Sequence, residues 1–410
     1  MAEKEIAATR RIIKVLQVDL AQDLENLMVD PRYNCYRILV LIDKKPLGWV
    51  TLTVGPGNSY IGYDEVMSAV RSELKLPLVE LSILNRIRAS HRVSDAGPIS
   101  IVVCTRDRTA LLASCLNVLT VLNYPVFEII VVDNAPSSDD TFELVKKFPV
   151  RYVRENTPGL DWARNRGIQE ANYPIVAFTD DDAHPNQHWL WIINESFTNP
   201  RVMALTGYVG PAELEHPAQE IFEIGYGGMG HGFRQRYIRK ATSTDQQLLW
   251  ASSFGVGANM AFRKTVFQQV GDFDTGLDVG TPSSGGGDIE MFHRIVLNDH
   301  LLLYEPSMIV WHYHRSTDQA LRKQVYNNGR SFGCYLIDCY IKRTVRRPSI
   351  VRFFLVNWLY KWNIRNLLKR GDTIPRSLSL TELQGMLTSP WAYRKTRLMQ
   401  RETVAKSKEN

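Results

Sequence analysis

The chain has 410 residues, 44% of them hydrophobic and 22% charged, with a formal net charge of +6. This is the balance of an ordinary soluble globular protein with room for two or three domains, and no apolar run approaches the roughly 18 to 20 residues that would cross a bilayer. Met1-Ala2-Glu3-Lys4-Glu5 has no apolar signal core, and Cys35, Cys104, Cys115, Cys334 and Cys339 lack zinc or disulfide-framework spacing, which points to reduced thiols in a cytosolic setting.

In chain order, Tyr36–Ile42 and Leu47–Val54 are expected as two strands joined by a turn over Asp43-Lys44-Lys45-Pro46, with a helix following over 63–74. These belong to a small α+β unit, residues 1–95, that carries no catalytic constellation; His91 to Pro98 is expected as a linker. From Pro98 the pattern changes. Strands are expected at 99–104, 127–132, 151–153 and 175–179, alternating with helices at 109–122, after Ser137-Ser138-Asp139-Asp140, and at 161–171. Such alternation predicts an α/β domain with a mostly parallel central sheet. Trp250 to Phe262 is expected to contain a further strand.

The strand ends carry the polar residues. One strand runs into Thr105-Arg106-Asp107-Arg108, another into Asp133-Asn134, a third into Asp180-Asp181-Asp182. In open parallel sheets, ligands bind beyond the carboxyl ends of strands, so the three ends are expected to share one crevice. Three adjacent carboxylates repel one another, and a hard divalent cation such as Mg²⁺ or Mn²⁺ relieves this while sharing its shell with a substrate phosphate. A solvated turn or helix N-cap accounts for the same aspartates locally. No Gly-rich dinucleotide fingerprint and no P-loop is present.

Taken together, these segments resemble the family 2 glycosyltransferases of the GT-A fold. The resemblance rests on Pro98–Arg108, Ile129–Asn134, Gly159–Gly167 (as G-x-x-x-A-R-N-x-G), Asp180-Asp181-Asp182 (as D-x-D), Gly271–Asp274 with Gly285–Glu290, and Val310–Arg315, all in family order. It implies a domain over residues 96–340. It also implies a nucleotide-diphosphate sugar donor contacted by Thr105, Arg108, Asp133, Arg164, Asn165, Asp180 and Asp181. A metal ion, Mn²⁺ or Mg²⁺, would be held by Asp182 and His312, with Asp288 as the general base. His314 is the weaker choice beside His312, and Trp311 is expected to be packing. One departure stands out: relatives carry Glu before the base, where this chain has Gly287. Local sequence alone reads Asp288 as a helix N-cap. The Gly225–Gly232 and Gly276–Gly287 stretches suit either mobile loops over the substrates or plain connectors.

From Ile341 to Asn410 there are 16 Lys and Arg against 4 Asp and Glu, a basic tail on an acidic body that suggests an anionic partner. Lys361, Arg365 and Lys369 recur every fourth residue beside Ile350–Trp362, which suits a helix lying on a membrane surface or one docked on the catalytic domain. The segment is too apolar for a plain nucleic-acid arm. The expectation is thus an inverting, metal-dependent transfer from a nucleotide-diphosphate donor, a UDP-sugar, to a glycan or lipid-linked hydroxyl. The enzyme would be cytoplasmic and peripheral on the inner membrane face. A silent glycan-binding scaffold and a sugar-nucleotide nucleotidyltransferase are the alternatives.

Overall fold

The structure is a computed structural model and describes residues 11–22, 26–55, 57–75, 95–368 and 374–409. In the first unit β1 (Ile13–Asp19), a short β2 (Leu27–Met28) and β3 (Cys35–Ile42) precede β4 (Lys45–Thr53), β5 (Tyr60–Ile61) and a helix over Tyr63–Leu74. β1 runs parallel to β3, and β3 pairs antiparallel with β4. The hairpin is tighter than the expected four-residue turn. Ile42 pairs with Lys45, so only Asp43 and Lys44 turn, both in left-handed backbone (φ 45° and 68°), the geometry that matches a two-residue turn to strand twist. This unit docks through Trp49, whose Nε1 donates to the Tyr208 hydroxyl (2.9 Å) and whose ring meets Trp311 edge-on (6.1 Å). Of the expected linker, 91–94 lie outside the described residues.

The main sheet has nine strands. They are β6 (Ile99–Thr105), β7 (Phe127–Asn134), β8 (Arg151–Glu155), β9 (Ile175–Asp180), β10 (Ala183–Pro185), β11 (Val202–Pro211), β12 (Arg236–Ile238), β13 (Asn259–Arg263) and β14 (Leu301–His312). Their order is β10-β14-β11-β13-β9-β6-β7-β8, with β12 also on β14. β6, β7, β8, β9, β11 and β14 run one way, while β10, β12 and β13 oppose them. The expected mostly parallel α/β sheet is therefore present; β13 supplies the strand expected near 250–262, starting only at Asn259. Its strands are apolar on both faces, as a sheet covered on two sides requires. Ile101 and Val103 pack under the Thr109–Leu119 helix, and Val102 packs with Ile168 on the other side. Contact there is close: a Cβ at Gly167 would lie 2.4 Å from Val102 Cγ1. Because six strands share one direction, Thr105, Asn134, Asp180 and His312 all emerge on one edge.

The tail is helical and folds back on the domain. Helices Asp318–Lys342 and Arg376–Leu387 cross at glycines: a Cβ at Gly329 would lie 2.0 Å from the Glu382 carbonyl, and one at Gly385 1.9 Å from that of Tyr326. Helix Ser389–Glu409 is tied down by Arg397, which donates to Asp274 (2.6 and 2.8 Å) and Asp338 (2.6 Å). Phe353–Ile364 is π-helical, its hydrogen bonds spanning five residues rather than four, and Arg365 opens the short helix that follows it; Lys369, the last residue of the expected basic face, lies outside the described residues. Phe353 and Trp358 are buried, while Val351, Leu355 and Tyr360 are exposed.

Glu382 is buried between two donors, the Tyr226 hydroxyl (2.7 Å) and Trp362 Nε1 (2.9 Å). Burial pushes its carboxyl up to about 7, with those two bonds opposing. A carboxyl whose folded pKa is raised favours folding at low pH, and that advantage is lost as pH rises from the unfolded value through the folded one. The stability difference between wild type and Glu382→Gln is expected to move by about 3 kcal/mol in favour of the variant between pH 5 and pH 8, measured by urea denaturation at both pH values. No movement would mean Glu382 does not titrate in this range.

Candidate active site

The acidic triplet divides where β9 ends at Asp180 and the chain turns through Asp181 and Asp182 into β10. Asp181 turns toward β6, where its carboxylate accepts from the Thr105 hydroxyl (2.7 Å) and from Arg108. The chain leaves β6 through Asp107 in left-handed backbone (φ 54°), a conformation Asp tolerates. Arg108 then starts the Thr109–Leu119 helix and spans both Asp181 and Asp182. Asp180 and Asp182 turn instead toward His312. Pairing of Ala183 with His312 and a bond from Tyr313 N–H to the Asp182 carbonyl (3.0 Å) bring the end of β14 beside the triplet. His312 Nε2 lies 3.1 Å from Asp182 Oδ1, and half-exposed Arg315 lies 3.7 Å from Oδ2.

These contacts set the charges. Burial pushes Asp181 up to about 7 against the pull of Arg108 and Thr105. Burial, together with the Asp182 charge, also raises Asp180. Asp182 resists its own burial and is held below the usual carboxylate range by His312 and Arg108. His312 is raised in return, its burial outweighed by Asp182. Ligand atoms of Asp180, Asp182 and His312 all lie within 4.8 Å of one another, so two carboxylates and an imidazole fit a divalent cation, with Asp181 facing away. A second group, Asp274, Glu290 and Asp338, is already neutralised by Arg397, Lys342 and Arg294 and serves as the tail's anchor.

At the end of β7, Asp133 is buried. Its Oδ2 accepts from the Tyr152 hydroxyl (3.0 Å), its Oδ1 has no partner, and burial raises its pKa against the Tyr152 bond. Asn134 accepts from Gly159 N–H (2.8 Å) and donates to the Thr157 carbonyl (2.8 Å), fixing the entry to helix Leu160–Glu170. That helix has no cap of its own. Asp278 supplies one from outside, accepting from Asp161 N–H (2.9 Å), where a helix N-terminus favours negative charge. Arg164 is buried against Asp161 (2.9 Å). Its guanidinium is held above its usual range despite burial, by Asp161, Asp288 and Asp180 in that order. Asn165 turns elsewhere: its amide donates to the Phe273 carbonyl (3.0 Å) and accepts from Phe273 N–H (2.9 Å), which makes it a clamp on the 271–274 segment.

Asp288 lies in the first turn of helix Gly287–Leu297, whose N-cap is Gly286 rather than the aspartate that local sequence suggests. Its Oδ2 accepts from Gly257 N–H (2.9 Å) and its Oδ1 from Ile289 N–H (2.9 Å). Gly257 leaves room for Arg164, since a Cβ there would lie 2.4 Å from its guanidinium. Gly287 has the same cause: a Cβ would lie 1.8 Å from Asp161 Oδ2. Asp161, from a different helix, thus puts its carboxylate where a side chain at position 287 would stand, beside Asp288. Asp288 borders a cavity of about 460 Å³ whose walls include Trp250, Trp362, Phe332, Asn328 and Glu382.

The site therefore gathers Thr105, Arg108, Asp180, Asp181, Asp182 and His312 into one cluster. Arg164 links this cluster electrostatically to Asp288, and Asp133 stands at the neighbouring strand end. Sequence reasoning passed over Asp161, Asp278, Arg315 and Glu223. Asp161 and Arg315 lie within the quoted motifs; Asp278 and Glu223 carry no local signal.

The structure thus sets a cluster able to hold a cation at one edge of an α/β sheet, with Asp288 across the buried Arg164. Residues 100–271 match the family described as Glycosyl transferase family 2. Residues 100–271 are thus similar to family 2 glycosyltransferases, and the chain is an enzyme of the glycosyltransferase class. It is 24% identical over 292 residues to glycosyltransferase AglE of Haloferax volcanii, covering 68% of this chain and 88% of that one. It is 22% identical over 191 residues to the glucosyl-dolichyl phosphate glucuronosyltransferase of the same organism, covering 43% of this chain and 56% of that protein. Among solved structures it is similar to mannosyltransferase PcManGT of Pyrobaculum calidifontis, in complex with GDP-Man and Mn²⁺. That likeness has a TM-score of 0.45 and 14% identity, and covers 79% and 97% of the two chains.

Gly287→Ala is expected to lose about 1–3 kcal/mol through overpacking against Asp161. Gly62→Ala, where the nearest atom to a new Cβ is 3.9 Å away, should stay within about 0.5 kcal/mol of wild type. Urea denaturation of the pair checks this; equal stabilities would mean Asp161 does not fill the space beside Gly287.

Proposed function

We propose that the chain is an inverting, metal-dependent glycosyltransferase. It moves a sugar from a nucleotide-diphosphate donor, a UDP-sugar, to a hydroxyl of a glycan or lipid-linked acceptor. One observation carries this: the Asp180–Asp182–His312 cluster and Asp288 flank the buried Arg164, and Asp288 alone of these borders an aromatic-walled cavity. Asp133, with an unpartnered buried oxygen, accepts the ring N–H of a uracil-type base. Thr105 and Arg108 lie on the donor side of the triplet. An oxygen-rich ligand set with one imidazole favours Mn²⁺ over Mg²⁺, which prefers oxygen and keeps its waters. A cation held there offsets the charge that grows on the departing diphosphate. Asp288 takes the proton from the attacking hydroxyl, and its bond from Gly257 N–H holds the carboxylate at the cavity edge. Trp250 and Trp362 offer aromatic faces to a sugar ring, with Asn328 and Glu382 to meet its hydroxyls.

UDP-, GDP- and dTDP-sugars are to be incubated with the protein and Mn²⁺, following nucleotide release with and without EDTA. Metal-dependent release from a UDP-sugar is expected. Asp288→Asn should still bind UDP with Mn²⁺ while turnover falls about 10²- to 10⁴-fold. Unchanged turnover would remove Asp288 as the base. Silence across the panel with no nucleotide binding would favour the silent glycan-binding scaffold, and nucleotide release that needs pyrophosphate would favour the nucleotidyltransferase.

The acceptor is lipid-linked on this proposal. One Haloferax relative is named for a dolichyl phosphate substrate. Among the described residues no helix is long and apolar enough to cross a membrane, yet Val351, Leu355, Val356 and Tyr340 are exposed around a shallow groove beside Arg347 and Arg352. Apolar side chains ringed by arginine suit peripheral contact with an anionic inner leaflet and need no nucleic acid. The protein is expected to co-sediment with phosphatidylserine vesicles but not with pure phosphatidylcholine, and Leu355→Glu should abolish it. Equal recovery with both vesicles would retire the membrane contact.

A further inference from the structure

Behind His312 lies a line of buried polar groups, His314 and Glu223, that the proposed chemistry does not use. His312 Nδ1 is 3.3 Å from His314 Nδ1, and His314 Nε2 is 3.1 Å from Glu223 Oε2. All three residues are buried. Phe222 meets the His314 ring edge-on (centroids 4.9 Å) and restrains its rotation. Glu223 stands on a single π-helical stretch, Ile221–Tyr226, that runs into the glycine loop lining the cavity.

The protons in this line can be assigned from donor and acceptor rules. A carboxylate only accepts, so His314 Nε2 carries a hydrogen toward Glu223. A neutral imidazole has one donor and one acceptor nitrogen, so with Nε2 donating, the Nδ1 of His314 accepts. Two facing nitrogens bond only if one of them donates; His312 Nδ1 must then carry the hydrogen. That leaves the His312 Nε2 lone pair pointing at Asp182 Oδ1, 3.1 Å away. A lone pair facing carboxylate oxygens is repulsive unless a proton or a metal ion lies between them, and a bound metal ion takes the proton's place.

We propose that His314 and Glu223 are positioning residues that lock His312 in its Nδ1–H tautomer and present Nε2 to a cation shared with Asp180 and Asp182. The proposal rests on the metal-site reading above and goes beyond it by assigning the residues that tune the site. Histidine ligands elsewhere depend on such outer partners, whose loss costs about 10- to 100-fold in metal affinity.

The test is Mn²⁺ binding by calorimetry, with and without UDP, on wild type, His314→Phe, His314→Asn and Glu223→Gln. Phenylalanine keeps the ring but cannot accept from His312; asparagine restores an acceptor. His314→Phe is expected to weaken Mn²⁺ binding about 10- to 100-fold, Glu223→Gln by less, and His314→Asn to recover most of the affinity. Release activity in His314→Phe should return at high Mn²⁺, since the pair orients a ligand and does no chemistry. Wild-type affinity in His314→Phe, or equal losses in the Phe and Asn variants, overturns the proposal. If His314→Phe does not fold, unchanged affinity in Glu223→Gln overturns it. Absence of Mn²⁺ binding in wild type would instead overturn the metal-site reading itself.

Discussion

Crowding of buried carboxylates at one sheet edge is the constraint on which the rest of this molecule depends. Asp180, Asp181 and Asp182 are consecutive, and Asp161, Asp278 and Asp288 close in from other elements. Two like charges 4 Å apart repel by about 4 kcal/mol at an effective dielectric near 20. The fold answers by threading cations between them: Arg108 across Asp181 and Asp182, Arg164 between Asp161 and Asp288, and His312 against Asp182. Each answer requires a particular piece of chain. β14 must end beside β10 to deliver His312, and glycine at 257 and 287 leaves room for the guanidinium and carboxylate atoms that stand where a side chain would.

The same constraint explains which features could be read from the sequence. Apolar strands alternating with helices announce a parallel sheet, and the polar residues that end those strands mark its functional edge; Thr105, Asp133 and Asp180 stand there because β6, β7 and β9 are adjacent and parallel. His312 was legible only through its motif, since nothing local in Val310–Arg315 says that β14 runs in register with β10. Asp161 was hidden for the opposite reason. It reads as an ordinary helix-start acid, and its place beside Gly287 comes from two helices meeting across a sheet. Asn165 shows the limit of motif transfer, because its amide is consumed by the backbone of Phe273. The π-helical register of Phe353–Ile364 was unreadable too, since Lys361 and Arg365, four residues apart, fall near one face of an α-helix and of a π-helix alike.

The relation of the tail to the domain follows from packing rather than charge. Its net positive composition pointed outward, toward an anionic partner, yet Arg397 and Lys342 spend their charges inward on Asp274 and Asp338. Glycines at 329 and 385 let two tail helices approach to backbone contact, which carries Glu382 and Trp362 to the cavity wall.

That cavity is closed by two stretches of one chain. Phe222, Tyr226 and Trp250 come from the residues that match the family, 100–271, whereas Asn328, Trp358, Trp362 and Glu382 follow them. The acidic triplet and Arg164 lie wholly in the earlier stretch. On the reading proposed above, a substitution in the later stretch can reshape the cavity while the crowded carboxylates stay as they are.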